Sequence, residues 1–562
     1  MNKIISHIIL FGCLLLPFEA MAAMVEASDS IDAEHKLNDV VVKAAKNSRS
    51  LSRVESVDII GKDQLIRAAC CNLGESFSAN PSVDVSYSDA ATGARQIKLL
   101  GLSGTYVQMM TENVPNLRGA SIPYSLGYVP GPWMQSIQVS KGASSVKNGY
   151  ESITGQINIE YAKPQAVDGF RANAYLDSDL KQEVNLDGSI HLNDRLSTSL
   201  LLHFENRQTE HDGNDDGFMD MPKVRQFNAM HRWAYVSPTW ISQLYLRALR
   251  DERNGGQSAH QHLSPNTPYT TSVETDRYEV QWKNGFTLNA DHNTSVALML
   301  HGSWHDAWNS FGNNIYDVLQ KNGYAQLMFE TDLSDNHNLS VGASINHDYY
   351  STRLSIASDY RDKTSETTAG IYAQYTYKLC DLLTVMPGVR LDHSDMYGTF
   401  FTPRLHVKYS PYEFLTLRAS VGKGYRSPHA LAENNHLLSR GRGIDQSYFT
   451  KRLKQEEAWN TGFSAGLNIP VMEKNLEINA EYYYTDFINQ MVINFHGDLS
   501  ALSFENLNGK SYSHTLQVDA TYPFFEGFSA TAAYRLNDVK CTYDGILRQK
   551  PLTSSYKGLL TL

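Results

Sequence analysis

Cysteine is scarce. Five in 562 residues, one of them within the leader, are too few to staple a fold with disulfides. Charged side chains make up only 19% of the chain, and a net charge of −11 leaves no basic footprint for nucleic acid, so none is expected as a partner. After residue 25 no uncharged apolar run is long enough for a membrane helix. Catalytic signatures are also missing: there is no phosphate-cradling Gly-Lys-Ser/Thr loop, no Gly-x-Ser-x-Gly elbow and no His-Glu-x-x-His, so no enzyme is expected. Aromatics are plentiful, with 32 Tyr, 21 Phe and 7 Trp. A soluble all-β protein and a transmembrane barrel both fit this composition, because a barrel hides its apolar face in alternate residues.

The amino terminus narrows the choice. Lys3, an apolar stretch from Ile4 to Pro17 and the small-x-small site Ala20-Met21-Ala22 form a secretory signal peptide over residues 1–22. Leu10-Phe11-Gly12-Cys13 resembles a lipoprotein box, but more apolar residues follow Cys13 and the better cleavage site lies beyond it. Residues 23–49 are polar and acidic, and read as flexible. They carry one short β-prone run, Leu37 to Lys43, suited either to an edge strand or to strand addition on a partner's sheet.

Residues 50–164 mix short elements into one small α/β domain. Asp63 is expected to cap a helix over 64–69, and a second helix is expected over 73–79. The run from Val139 to Ile159 reads as strand, glycine turn, polar connector, glycine turn, strand. From about Gly169 the pattern has period two. Leu339, Val341, Ala343 and Ile345 alternate with Ser340, Gly342, Ser344 and Asn346, so one face is apolar and the other wet. By the same alternation His301 faces the wet side. Short turns such as 193–195, 237–239, 335–337 and 410–412 alternate with long stretches near 207–225, 251–273, 305–321, 350–365, 423–455 and 488–510, the asymmetry of an outer-membrane barrel. About 18 strands are expected, the last over 552–562.

These features together resemble the TonB-dependent outer-membrane receptors. Leu37 to Val42 resembles the Ton box. Ile97-Lys98-Leu99-Leu100-Gly101-Leu102, with Met109-Met110-Thr111-Glu112-Asn113-Val114-Pro115, resembles the plug's I-x-x-R-G-L … D-G-V-P region, and Ile137 to Ile159 resembles its most specific signature. The chain departs from the pattern at Leu100, at Glu112-Asn113 and at Asn148. The resemblance implies a transmembrane antiparallel β-barrel over 168–562, filled by an N-terminal α/β plug over 50–164. It also implies 22 strands, so about 18 reads as a fragment or a truncated product whose open edge would leave backbone groups unpaired in lipid. Its implied partners are the TonB–ExbB–ExbD energising complex at Asp39, Val40, Val41 and Val42, outer-membrane lipid and a small metal-containing ligand, with the receptor a monomer. Substrate contacts are expected from plug loops carrying Arg95, Arg118, Tyr124 and Tyr128, although aromatic loop residues more often pack plug against barrel.

Two constellations bear on the cargo. Asp212, Asn214, Asp216 and Asp220 match the first half of an EF-hand-like loop with Gly217 at the sharp turn, but Lys223 stands where the bidentate Glu belongs. No cofactor is required; calcium in this external loop is one reading, and a solvated acidic loop the other. Soft and imidazole donors gather in neighbouring external loops at Met219, Met221, His211, His260 and His262, and the adjacent thiols Cys70 and Cys71 of the plug are another possible soft-metal site; these donors suit copper or haem. Tyr425-Arg426-Ser427-Pro428-His429 with Glu433-Asn434 resembles the family's F-R-A-P-x-x-x-E-L box, in which His429 is a candidate axial ligand. The expected function is TonB-dependent import of a scarce chelate: ferric siderophore, haem, cobalamin or copper. The alternatives are a non-transporting fragment, a signal-transducing receptor or a passive outer-membrane protein. Energised import, with the cargo left open, best explains a plug and a Ton box on one chain.

Overall fold

Strands built from alternating residues can close on themselves when their outer face is apolar and their inner face has something polar to hold. The computed structural model describes residues 54–562 apart from 68–70, 79, 167–168, 259–267, 357, 446, 495–500 and 526. The signal peptide and the Leu37–Lys43 run lie outside the described residues, as do Cys70, His260 and His262. From Gly169 onward, nineteen strand segments follow one another in sequence order around a closed barrel. The last two, Ile546–Gln549 and Tyr556–Thr561, both pair with Phe528–Tyr543, so they are the two halves of one broken span. Eighteen spans result. An even number sets the last antiparallel to the first, and the edge expected to stand open is closed. Among the described residues no helix is long and apolar enough to cross a membrane.

Inside and outside follow the predicted parity. In Trp240–Gly256, Tyr245, Arg247, Leu249 and Asp251 point into the lumen and are buried. His301 faces inward and is buried, as the alternation requires. At the short-turn end, exposed rings stack in pairs: Trp240 on Phe286 at 6.0 Å and Tyr412 on Phe414 at 5.2 Å. That is an aromatic girdle at one membrane interface.

Two stretches expected to be loops are strands instead. Thr294–Phe311 runs into Asn314–Ser334 across a tight turn, and His337–Ser355 runs into Asp359–Leu379. Their outer tips carry charge on the outward face, such as Asp317, Arg353 and Arg361, and this polarity hides the period-two pattern. The spans simply continue past the apolar belt.

The plug fills the lumen with a five-stranded sheet in which Val57–Gly61 is an edge paired to Met134–Lys141. The glycine-punctuated run forms the hairpin of Met134–Lys141 with Gly155–Tyr161, where Val139 opposes Ile157. Smaller expectations need correction. Asp63 lies inside the first turn of the helix Lys62–Arg67 rather than capping it, and the Gly61 N–H donates to Gln64 Oε1 at 3.0 Å instead. Over 73–79 there is only a single 3₁₀ turn, Glu75–Phe77, since Gly74 and the following Asn80-Pro81 leave no room for a longer helix.

Four lumen-facing arginines attach the plug to the wall through its backbone. Arg232 donates to Ala162 O, Arg247 to Tyr128 O, Arg404 to the carbonyls of Ser144, Ser145, Tyr150 and Ser152, and Arg535 to those of Pro81 and Ser82. A buried carbonyl must be paired, and a guanidinium with several donors pairs irregular backbone economically. Close approach also decides Gly119, at φ 62° in the plug apex, where a Cβ would collide with Tyr350 Oη and the Gln320 amide. Gly119→Ala is expected to destabilise by about 1–3 kcal/mol, by both crowding and backbone strain. Adding Tyr350→Phe should recover part of that loss in thermal unfolding; no recovery would mean that the Tyr350 hydroxyl is not the obstacle.

Candidate substrate site

Pro428 ends the span Leu415–Arg426, and the chain then turns inward rather than out into solvent. A short helix, Ala430–Asn434, and a 3₁₀ segment, Asn435–Arg440, follow and end at Gly441 with φ 68°. Ala430, Leu431, Ala432, Leu437 and Leu438 are all buried, and burying this apolar stripe against the plug apex is what draws the segment down. Tyr124 Oη donates to Asn435 Oδ1 at 3.4 Å, Ser439 Oγ donates to Asp89 Oδ1 at 3.0 Å, and the His429 ring lies 4.3 Å from that of Tyr350. The segment roofs the plug.

Arg426 pins the roof, since it is ion-paired to both Glu433 on the helix and Glu456 on the next span. Glu456 Oε1 also accepts from Tyr106 Oη of the plug at 2.9 Å, and Gln490 Nε2 donates to that same hydroxyl at 2.9 Å. Roof, wall and plug thus share one buried network. Between roof and plug lies a cavity whose polar lining includes Arg95, Arg118, Glu151, His429, Glu433 and His436. Arg118 pairs with Glu151 and, at 3.3 Å, with Asp348 of the wall.

Burial dominates the electrostatics here. It pushes the Glu433 carboxyl up to about 7, against the opposing pull of Arg426 and of the His429 backbone N–H. It raises Glu151 despite Arg118, and pushes the imidazoles of His429 and His436 down to about 3 and about 4, so both rings are neutral at physiological pH. The sign for Glu433 follows by linkage. Its value in the closed roof exceeds the ordinary 4.5, so closure is most favoured below pH 4.5 and loses up to about 3 kcal/mol as pH rises through 7. Hydrogen exchange at the amides of 430–440, corrected for intrinsic rate, is expected to speed up between pH 5 and 8 in the native chain and to stay flat in Glu433→Gln. An equal pH response in both would assign the effect to another group.

A second set of charges lies deeper. Glu112 and Asn113 have φ of 52° and 65°, and form a two-residue hairpin turn between Val107–Thr111 and Val114–Pro115. Asn tolerates that backbone region; Glu does not favour it. Its side chain compensates, being ion-paired to Arg232 at 2.6 Å, Lys163 at 2.7 Å and Lys283 at 3.5 Å while 1% exposed. Burial alone would raise the carboxyl; the three cations hold it well below the usual range.

The sequence-predicted residues separate in space. Arg95 and Arg118 line the cavity. Tyr124 and Tyr128 are 3% and 0% exposed and serve plug–wall packing, with the Tyr128 hydroxyl 3.3 Å from Thr275 Oγ1 and Arg253 over the Tyr124 ring at 5.4 Å. Asp212, Asn214, Asp216 and Asp220 turn their oxygens onto their own loop: Asp212 accepts from the N–H groups of Asp216 and Gly217, Asn214 Oδ1 accepts from the Asp216 N–H as well, Asp216 accepts from Phe218 N–H, and Asp220 accepts from Gly213 N–H and His211. Among the described residues no three His, Cys, Asp or Glu side chains converge as a metal site. Met219 is buried at the Gly256 backbone, and Met221 lines a smaller cavity with Arg95 and Tyr124. Burial, with Glu183 and Glu75 nearby, pushes the Cys71 thiol up despite Lys181, which opposes the thiolate a metal would need. His436, Glu151 and Glu456 were not anticipated; the one sequence cue was the Arg426–Glu433 box.

The family model for the TonB-dependent receptor plug domain matches residues 50–156, and that for the TonB-dependent receptor-like β-barrel matches residues 168–557. The chain belongs to the TonB-dependent receptor family. As such a receptor it resides in the outer membrane, and its fold and family are those of receptors and transporters, not enzymes. The iron-regulated outer membrane virulence protein of Vibrio cholerae is 22% identical over 71% of this receptor and 61% of its own length. The vitamin B12 transporter BtuB of Vibrio vulnificus is 20% identical over 73% and 66%. The receptor therefore spans about two thirds of the length of these curated relatives, or slightly less. The solved structure of the copper transporter OprC superposes with a TM-score of 0.70 at 14% identity, covering 89% of this receptor and 81% of that chain, a likeness of fold alone.

Proposed function

We propose that the receptor imports a scarce metal chelate: ferric siderophore, haem, cobalamin or copper. The chelate is captured at the cavity beneath the 427–440 roof. It passes inward when the TonB–ExbB–ExbD complex pulls on Leu37–Lys43. One observation carries the reading: the cavity is roofed by a segment joining two spans and floored by the plug, so a ligand there touches the outer segment and the gate together. Occupancy can then bias the Arg426 network that links roof to plug, which is the differential contact a ligand needs to shift a conformational equilibrium. The mixed relatives, iron-regulated, vitamin B12 and copper, support the class of cargo without selecting a member.

The test is ligand retention by the receptor in outer-membrane preparations, screened with copper, a ferric siderophore, haem and cobalamin. One of the four should be retained selectively. Copper retention that disappears in Cys70→Ser/Cys71→Ser would select the bare metal; retention of none would defeat the reading.

A further inference from the structure

Resting on the reading of this cavity as the substrate site, we propose that it selects an uncharged ligand presenting amide or hydroxyl hydrogen-bond donors and rejects polyanionic chelates. Among the described lining residues the cations are Arg95, Arg118 and Arg426, and each is already engaged. Arg95 reaches Glu75 at 3.5 Å, Arg118 pairs with Glu151 and Asp348, and Arg426 pairs with Glu433 and Glu456. Three guanidinium groups thus face five carboxyl groups. An incoming anion finds no unpaired cation; to obtain Arg118 or Arg426 it must break a largely buried pair and leave a carboxylate uncompensated, while Arg95 is held by the more exposed Glu75.

The unsatisfied groups point the same way. Among acceptors, Glu433 Oε2 and the Nδ1 atom of His436 carry no hydrogen bond, although their residues are only 3% and 9% exposed; Arg426 Nη2 carries none either but is ion-paired to Glu433 Oε1. Above pH 7, where Glu433 is ionised, its free oxygen accepts, and a neutral imidazole offers one accepting nitrogen. Several other polar lining groups are spent on the protein itself: Ser88 Oγ donates to Ala94 O, Ser125 Oγ to Ile122 O, Ser427 Oγ to Glu366 and Asn434 Nδ2 to Ala430 O. Buried polar groups in native proteins are normally paired, so two orphans facing one cavity mark where a ligand's donors belong. A ligand that brings N–H or O–H groups and no net charge satisfies both without disturbing the ion pairs. A site built this way discriminates sharply, because the wrong ligand leaves buried groups unpaired.

The experiment uses the full chain in outer-membrane vesicles with two probes, cyanocobalamin (uncharged and rich in amide donors) and a ferric tris-catecholate (polyanionic). Cyanocobalamin is expected to bind at least 100-fold more tightly. Glu433→Gln, which keeps the size but turns an acceptor into a donor and removes charge, should weaken cyanocobalamin at least tenfold and improve the catecholate. His436→Gln supplies a second variant should Glu433→Gln fold poorly. Tighter binding of the catecholate, or binding of neither probe, overturns the proposal. A cavity-filling Leu126→Trp separates the two readings. If it abolishes catecholate binding, the site stands and the ligand class is wrong; if it leaves the binding of either probe untouched, the cavity is not the substrate site.

Discussion

Deleting Asp39–Val42 is expected to abolish uptake of the ligand while leaving its retention at the outer surface unchanged. The run Leu37–Lys43 is rich in β-branched residues, and such a peptide can bind by adding a strand to a partner's sheet edge. Tension applied there is delivered along the chain to Val57–Gly61, the edge strand of the plug sheet, held on one side only by five pairs with Met134–Lys141. The same place carries a charge network. Lys141 is ion-paired to Asp58 at 3.0 Å and to Glu481 of the wall at 2.6 Å, and Ser56 Oγ donates to Glu481 at 3.1 Å. Displacing the edge strand would remove Asp58 and Ser56 and leave Lys141 with Glu481 and the Ser82 hydroxyl, which loosens sheet and wall at one point. Uptake of radiolabelled ligand in cells should fall to the background of a receptor-less strain. Persistence of uptake in the deletion would refute energised import through this peptide.

The barrel was legible because its rule is local. Period two assigns every residue of a span to lumen or lipid, so His301 could be placed from Leu298 and Leu300 alone, and the hairpin around Val139–Ile159 could be read from its glycines. The extended tips at 305–321 and 350–365 escape for an equally local reason: beyond the lipid the apolar residues change face, with Tyr316, Val318 and Leu354 inward and Asp317 and Arg353 outward, so the belt's alternation is lost while the hydrogen-bonded ladder continues. The roof was not legible at all. Ala430–Asn434 is too short for a helical period, and its stability comes from Leu431, Leu437 and Leu438 meeting the plug, a contact between residues some 300 positions apart. The Arg426–Glu433 spacing hinted at a pairing, but that Glu456 completes it, and that Tyr106 of the plug joins it, is a fact of tertiary structure. The departures at Leu100 and Glu112-Asn113 carry no visible reason in the sequence. In the fold they are two-residue turns with left-handed backbone: Leu100-Gly101 lies between Ala94–Leu99 and Leu102–Ser103, and Glu112-Asn113 closes the hairpin above the cation cluster.

Glu112→Ala is expected to be the most destabilising single change in the plug. The native carboxylate is fully buried and offsets Arg232, Lys163 and Lys283, one of which belongs to the plug's exit segment and two to the wall. Removing it leaves the buried Arg232 without a carboxylate, beside two partly exposed lysines of which Lys163 keeps Glu160. Breaking a buried pair from one side typically costs about 3–5 kcal/mol, and here the residual charges also repel one another. Relief of the left-handed backbone offsets little, because Ala is strained at φ 52° as well. Arg232 would keep its bond to Ala162 O, so the plug should stay attached at its exit while its hairpin loosens. The expected readouts are a fall in thermal stability and a rise in large-antibiotic entry through the poorly seated plug. Glu112→Gln should behave nearly as badly, since shape without charge leaves the buried Arg232 uncompensated. Replacing Arg232 by Met in the Glu112→Ala background should recover part of the loss, because the double change removes both sides of the main pair. If Glu112→Gln is as stable as the native chain, charge does not seat this hairpin, and the turn's hydrogen bonds, such as Asn113 N–H to Asn158 Oδ1 at 2.7 Å, do so instead.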